Sequence, residues 1–186
     1  MSGAGGKDEL LLGSIVYFED LDYSQATVKP RLSGVPVVAR MMRNVSGFAL
    51  LPGRLCTGDA TAPNIFIRAK GYSATTAEGP LAVVDEYLPS AGVADQMIFW
   101  GIIDGPTQVL TDLAGGANNL VPVGTRLVSL TAATTGATTA GRVAPQDLTG
   151  ATATLGAQIL NVLGRALSAK TTSNTNAFLR ANLTKW

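Results

Sequence analysis

Hydrophobic and polar residues alternate along a stretch in the second half of the chain, VPVGTRLVSL at 121–130. One side of this stretch carries Val123, Thr125, Leu127 and Ser129. A period of two is typical of a β-strand with two unlike faces. Gly124 suits a turn or bulge at the start of the strand, because glycine adopts backbone conformations that other residues avoid. We therefore predict a strand here and expect the sheet to be organised around it.

A second stretch, ILNVLGRALS at 159–168, allows two interpretations. As a strand it places on one face Leu160, Val162, Gly164 and Ala166. As a helix it has apolar residues at i, i+3 and i+4 spacing, namely Leu155, Ile159, Val162, Leu163 and Ala166. Gly156 and Gly164 each weaken the helix by about 1 kcal/mol relative to alanine. We favour the strand and keep the helix as the alternative.

Shorter alternating or apolar runs predict further strands. They lie at 14–20, 35–42, 48–58, 64–72, 81–84, 97–103, 107–113 and 176–186. The run Met97–Ile103 is nearly continuously apolar, so we expect a central strand that is buried on both faces and ends at Asp104-Gly105-Pro106. Pro30 and Pro36 make Val35–Met42 an edge strand, because proline cannot donate a hydrogen bond to a neighbouring strand.

The pattern as a whole predicts an all-β protein with two parts. Met1–Gly6 is rich in glycine, and an apolar cluster of Leu10, Leu11 and Leu12 follows it. We assign 1–12 to an extended N-terminal arm and 13–186 to a single β-rich domain. A chain of 186 residues buries roughly 70% of its unfolded surface, so the core needs no disulfide.

Charge is sparse in this sequence. Charged residues make up 15% and hydrophobic residues 46%, whereas an average domain has about 25% charged residues. A monomer that meets water on all sides normally carries more charge, so we expect other protein chains to cover part of the surface. No apolar run approaches the ~20 residues needed to cross a bilayer, and no membrane partner is expected.

The net charge of +1 is distributed in blocks of alternating sign. Residues 1–28 carry a net −4, 29–70 a net +6, 71–112 a net −6 and 113–186 a net +5. Such blocks either pair between neighbouring strands or subunits, or form solvated faces without a partner. They do not make the uncompensated basic patch of a nucleic-acid-binding surface, so no direct contact with nucleic acid is expected.

Residues that carry enzyme chemistry are scarce. The chain has no histidine, and we interpret its single cysteine, Cys56, as a small buried side chain. Asp85 and Glu86 would point to opposite faces of a continuing strand, and a turn is the better interpretation. No P-loop, EF-hand or GxSxG motif occurs. We expect a non-enzymatic protein without catalytic, cofactor-binding or metal-binding residues.

The stretch 121–130 continues into TAATTGATTAG at 131–141, which is either a flexible surface loop or a loop ordered by packing against a symmetry-related copy. VPVGTRLVSLTAATTGATTAGRV followed by QILNVLGRALSAKTTSNTN resembles the capsid decoration, or cement, proteins of tailed bacteriophages. The shared pattern is a valine–glycine strand, a Thr/Ala loop ending in Gly-Arg, and a GRAL-type strand. It covers about the C-terminal half from Ile102 onward, with a weaker match at 79–111.

The resemblance implies a β-barrel or β-sandwich with long irregular loops, assembled as a homotrimer on the outer capsid surface of the virion. Such a protein binds the major capsid protein across capsomer junctions and reinforces the shell against internal pressure. We expect the arm to contact the capsid through Leu10, Leu11 and Leu12. Within the trimer we expect contacts through Thr134, Thr135, Thr138 and Thr139. The family offers no catalytic residues to transfer to this chain.

Two alternatives stay open. The first is a β-sandwich module that binds glycans or small molecules, which needs exposed aromatic residues beside acids. Trp100 with Asp104 is the candidate pair for that role. The second is a different head or tail subunit of the same virion. An array of glycans distinguishes the first alternative from a pure decoration protein, which gives no hits.

Overall fold

The computed structural model of the chain describes residues 11–22, 29–30, 35–61, 64, 66–71, 81–111, 121–129, 141, 143–145, 162–170 and 178–184. In these residues the backbone forms twelve β-strands and no α-helix. The predicted all-β class is therefore confirmed. The arm up to Leu10 lies outside the described residues, and so does 131–140 of the Thr/Ala loop.

Most of the strands are short. In chain order they are β1 (Ile15–Phe18), β2 (Leu21–Asp22), β3 (Lys29–Pro30), β4 (Val37–Asn44), β5 (Leu55–Gly58), β6 (Arg68–Gly71), β7 (Ala82–Val84), β8 (Ile98–Leu110), β9 (Arg126–Ser129), β10 (Val143–Pro145), β11 (Val162–Ala166) and β12 (Phe178–Leu183). Strand β8, with 13 residues, is the longest of them, and its two halves pair with different strands.

Ten of the described strands form one mixed sheet in the order β1-β4-β6-β5-β7-β8-β12-β11-β9-β10, and β2 and β3 form a separate pair. Because β4 pairs with β8 as well as with β6, five strands (β4, β6, β5, β7 and β8) form a ring of pairings. The β4–β6 pairing is parallel, and the other four are antiparallel. The expected barrel or sandwich thus takes the form of a mixed sheet whose pairings close a ring on one side.

Strands β5 and β7 are buried on both faces, and each face belongs to a different hydrophobic cluster. Leu55 and Val83 pack in a first cluster that extends to β9, β11 and β12. Cys56 and Val84, one residue further along each strand, pack in a second cluster with Met42. Since successive side chains of a strand point to opposite faces, these two strands separate two cores.

Strand β8 differs from its prediction at its end. It is central, as expected, but it continues through Asp104-Gly105-Pro106 to Leu110. Its first half pairs with β4 and β7, and its second half pairs with β12. Gly105 has a φ of +86°, and a Cβ atom at this position would overlap the carbonyl oxygen of Pro36. The turn-type residues therefore mark a change of direction within one strand, where glycine is required.

The prediction that Val35–Met42 is an edge strand is wrong. Strand β4 pairs with β1 through Phe18↔Val37 and its neighbours, with β8 along most of its length, and with β6 at its end. Pro36 immediately precedes β4, so its missing N–H removes no bond from the pairing. The proline limits where the strand begins and leaves both of its edges free to pair.

The stretches 121–130 and 159–168 both form strands over part of their lengths. The expectation that the sheet is organised around 121–130 is wrong, because β9 lies next to the end of the strand order and β8 is the central strand. Gly124 has a φ of +84° in a turn, and β9 begins two residues later, as predicted. The strand interpretation of 159–168 is confirmed for Val162–Ala166, and the helical alternative is wrong there. On β12 the predicted alternation is also confirmed. Leu179, Ala181 and Leu183 are buried, whereas Arg180 and Asn182 are only partly buried.

Candidate functional site

Strand β1 lies at the end of the strand order and presents an apolar face to solvent. Val16 packs towards the first core cluster, whereas Ile15 and Tyr17 point the other way. Tyr17 is 74% exposed, the largest value among the exposed large hydrophobic side chains of the described chain. Among the described strands β1 pairs on one side only, and exposed aromatic residues beside such an edge are typical of a surface that another chain covers.

Strand β4 and the segment before β6 extend this face. Ile15 pairs with Arg40, and Tyr17 pairs with Val38, so these side chains lie on the same side of the sheet. The guanidinium carbon of Arg40 is 5.0 Å from the centre of the Phe66 ring, which is itself exposed. We call the surface formed by Ile15, Tyr17, Val38, Arg40 and Phe66 the outer face.

The predicted capsid-contact residues lie next to the outer face. Leu11 is 50% exposed and is joined to β1 by a turn in which Ser14 N–H donates to its carbonyl oxygen. Leu12 is partly buried, and Leu10 lies outside the described residues. The N–H of Gly13 donates to the carbonyl of Met41 at 2.8 Å, which holds this segment against β4.

The predicted trimer-contact residues Thr134, Thr135, Thr138 and Thr139 lie outside the described residues, so their contacts remain a prediction. At the start of β9, Val123 is 64% exposed. Leu167, directly after β11, is also exposed. It lies close to Val123, since the N–H of Gly124 donates to the carbonyl of Ala166. This is a second exposed apolar spot.

A cavity of about 530 Å³ opens between β1, β4, the β7–β8 loop and β8. Its apolar lining includes three aromatic side chains, namely Phe18, Tyr87 and Trp100. The rings of Phe18 and Trp100 meet edge to face, with centres 6.0 Å apart. Among the described residues, the polar lining comprises Glu19, Asp20, Asp85, Glu86 and Thr107. We call it the acidic cavity.

Polar contacts between distant parts of the chain hold the acidic cavity together. The Arg180 guanidinium, on β12, forms ion pairs with Asp20 and, at 3.4 Å, with Glu86. The Tyr87 hydroxyl donates to the carbonyl of Leu21 at 2.5 Å. Arg180 comes from the last basic block of the sequence and its two partners from the two acidic blocks. Of the two interpretations of the blocks, pairing therefore holds at this site. The block pattern was the available signal, but it did not identify Arg180 itself.

Asp85 and Glu86 form the predicted turn, with one consequence that the sequence did not indicate. The N–H of Tyr87 donates to Asp85 at 3.1 Å, and β7 ends at Val84. Because the strand does not continue, both residues line the same cavity, whereas in a continuing strand they would point to opposite faces. Burial raises the pKa of the Asp85 carboxyl, and hydrogen bonds from the backbone of Tyr87 and Glu86 partly oppose that rise.

Trp100 and Asp104, the candidate pair for glycan binding, do not line the same cavity. Trp100 lines the acidic cavity, whereas Asp104 is not among the lining residues. The Asp104 carboxylate accepts a hydrogen bond from the N–H of Gly105 at 2.8 Å, next to the bend of β8. The acids that accompany Trp100 are instead those of the β1–β2 and β7–β8 loops.

Cys56 is a buried side chain, as predicted. Its thiol donates to the carbonyl of Ala82 at 3.4 Å, and burial raises its pKa to about 12. In the described part of the chain, no three side chains of the His, Cys, Asp and Glu types are grouped closely enough to hold a metal ion. No helix among the described residues is long and apolar enough to cross a membrane.

The sequence matches no protein-family model. It also matches no curated protein. Among solved structures, the chain is similar to the N base of head fiber gp8.5 in bacteriophage phi29, with 13% sequence identity and a TM-score of 0.44. The alignment covers 80% of this chain and 94% of the phage protein.

Proposed function

We propose that this chain is a structural protein of a tailed-bacteriophage virion that binds the outer surface of the capsid. In this proposal it assembles as a homotrimer, contacts the major capsid protein at junctions between capsomers, and stabilises the shell against internal pressure. Its role is architectural and requires neither catalysis nor a cofactor. The resemblance of the C-terminal half to capsid decoration proteins supports the proposal.

The observation that carries the proposal is the outer face. Ile15 and Tyr17 are exposed on a strand that pairs on one side only among the described strands, and Leu11 is exposed just before them. Such apolar surface at a sheet edge favours association with another chain, by burial of the side chains and by added strand pairing. A low charged fraction of 15% fits a protein that has part of its surface covered.

A modest contact at the outer face is sufficient for stable attachment if it is repeated. Three copies in a trimer that bind together convert the second and third contacts into intramolecular events. The avidity gained in this way can exceed the affinity of one contact by factors of 10² or more when the geometry allows simultaneous binding. The proposed trimer therefore supplies much of the retention.

Co-sedimentation with capsids prepared without this protein tests the proposal. The full chain is expected to sediment with the capsids, and a chain that lacks residues 1–12 is expected to bind more weakly. The truncated chain should still behave in free solution as a trimer, with three times the 19.1 kDa mass of the chain. Absence of the full chain from the capsid fraction, or a monomer in free solution, would contradict the proposal.

A further inference from the structure

The acidic cavity is walled by parts of the chain that are distant in sequence. Phe18 comes from β1, Tyr87 from the β7–β8 loop and Trp100 from β8. The Tyr87–Leu21 hydrogen bond and the ion pairs of Arg180 fix these parts relative to one another. A largely apolar concavity of this volume with a few polar groups is the usual form of a small-ligand site.

Two of the four carboxylates that line the cavity have no cationic partner among the described residues. Glu19, Asp20, Asp85 and Glu86 line it, and Arg180 pairs with Asp20 and Glu86. The exposed carboxylate of Glu19 and the partly buried one of Asp85 have no cationic partner in the described residues. The raised pKa of the Asp85 carboxyl reflects the cost of keeping this charge away from water. A cation placed in the cavity would offset that cost.

A buried hydroxyl in the lining also lacks a partner. Thr107 is 1% exposed, lines the cavity, and its Oγ1 atom has no hydrogen-bond partner among the described residues. Buried polar groups are nearly always hydrogen-bonded in folded proteins, so this hydroxyl is an unusual feature of the cavity wall. The proposal below rests on the carboxylates and aromatic rings of the lining.

The chemistry of the lining favours a positively charged ligand over a neutral sugar. The lining offers carboxylate acceptors and three aromatic rings, and the Tyr87 hydroxyl is already engaged. A sugar needs donors and acceptors around its whole rim, whereas an ammonium group needs acceptors and the faces of aromatic rings. In the described part of the chain, no three side chains of the His, Cys, Asp and Glu types form a group that could hold a metal ion.

We propose that the acidic cavity binds a primary alkylammonium group, with the charged nitrogen near Asp85 and Glu19 and the apolar stem against Trp100 and Phe18. A free aliphatic amine and the lysine side chain of a peptide share this chemistry. The site is separate from the outer face and does not depend on the proposed capsid role. It gives the protein a second recognition surface, selective for cations.

Saturation-transfer NMR titrations of the full chain test this assignment with matched probes. Pentylammonium is compared with pentanol, and acetyl-lysine amide with acetyl-norleucine amide. Each charged probe is expected to bind at least tenfold more tightly than its neutral partner, and added salt is expected to weaken the binding. Binding of pentylammonium alone identifies free amines as the ligands, and binding of both charged probes adds lysine side chains. Equal binding of charged and neutral probes would overturn the proposal, and so would saturation by glucose, galactose or N-acetylglucosamine without binding of either amine.

Substitutions locate the site. Asp85→Asn keeps the shape of the side chain and removes the charge, so we expect at least a fivefold loss of affinity for pentylammonium. Glu19→Gln, at an exposed position that tolerates change, is expected to cause a smaller loss in the same direction. Asp95→Asn is the control, because this exposed carboxylate lies outside the cavity lining. If Asp85→Asn and Glu19→Gln bind pentylammonium with the affinity of the parent chain, or if Asp95→Asn loses as much affinity as Asp85→Asn, the assignment is wrong.

Discussion

The guanidinium of Arg180 forms an ion pair with the carboxylate of Asp20, which lies 160 positions earlier in the chain. The same guanidinium reaches Glu86, 94 positions away. One side chain of β12 thus ties the loop after β1 to the loop after β7, and both loops line the acidic cavity. The two loops that wall the cavity are therefore held in place by a residue of β12, although no residue of β12 lines the cavity.

Replacement of Arg180 by methionine should destabilise the protein. Arg180→Met removes the charge but keeps much of the apolar stem, and it leaves two mostly buried carboxylates without their guanidinium. We expect a loss of about 2 kcal/mol in the free energy of unfolding. The control is Arg165→Met, since Arg165 is exposed and, among the described residues, its guanidinium donates to the carbonyl of Gly124 at 3.2 Å and forms no ion pair. Urea denaturation that gives equal losses for the two variants would argue against this role of Arg180.

Gly105 and Gly124 have nearly the same backbone conformation but different surroundings. Their φ angles are +86° and +84°, whereas an added Cβ meets Pro36 at Gly105 and nothing within 4 Å at Gly124. Gly124→Ala should therefore cost only the backbone strain, about 1 kcal/mol. Gly105→Ala should cost at least about 3 kcal/mol, because the bend of β8 must shift as well. Thermal unfolding measures both, and similar values would show that the bend tolerates a side chain.

The Asp59–Lys70 contact should make stability depend on pH in the acid range. The Lys70 ammonium lies 2.7 Å from the Asp59 carboxylate, and its hydrogen bond, together with those from Thr61, lowers the pKa of Asp59 to about 2. Because the folded-state pKa is lower than the unfolded value of about 3.9, this stabilisation is complete above about pH 4. It is lost as the pH falls through 2.

Asp59→Asn tests that dependence directly. At pH 7 we expect the variant to be less stable by about 1 kcal/mol, a value reduced for solvent screening because the Lys70 side chain is 42% exposed. As the pH approaches 2, the two proteins should converge in stability. A difference that is independent of pH between 2 and 7 would mean that the ion pair does not contribute.

The thiol of Cys56 should be unreactive in the folded protein. It is buried in the second core cluster, and its pKa is raised to about 12, so almost no thiolate forms at pH 8. A disulfide reagent is expected to label the native chain at least a hundredfold more slowly than the chain in denaturant. Rapid labelling of native protein would indicate that the β5–β7 region opens readily.

Local alternation was sufficient to predict several strands, because in them one face meets the core and the other does not. On β12, Leu179 and Ala181 are buried at every second position, as the sequence indicates. Pro36 predicts an edge position for β4, because proline interrupts strand pairing, yet β4 pairs on both sides. Which strands become neighbours is decided by contacts between distant segments, and the pattern within one strand does not contain that information.

The candidate sites show the same limit. The turn at Asp85 was predictable from local chemistry, and the exposure of Leu11 agrees with an apolar cluster outside the core. The acidic cavity was not predictable, because its walls come from segments that are brought together only by the fold. Alternating charge blocks gave a general indication of pairing, but only the structure identified Arg180 as the residue that joins them.

The number of copies bound per capsid, measured for Tyr17→Lys and Val123→Lys beside the parent chain, tests the central claim most directly. Both positions are highly exposed, at 74% and 64%, so neither substitution should disturb folding. A capsid contact through the outer face predicts that Tyr17→Lys loses at least nine-tenths of the bound copies, while Val123→Lys retains them. Full occupancy by Tyr17→Lys would contradict the account.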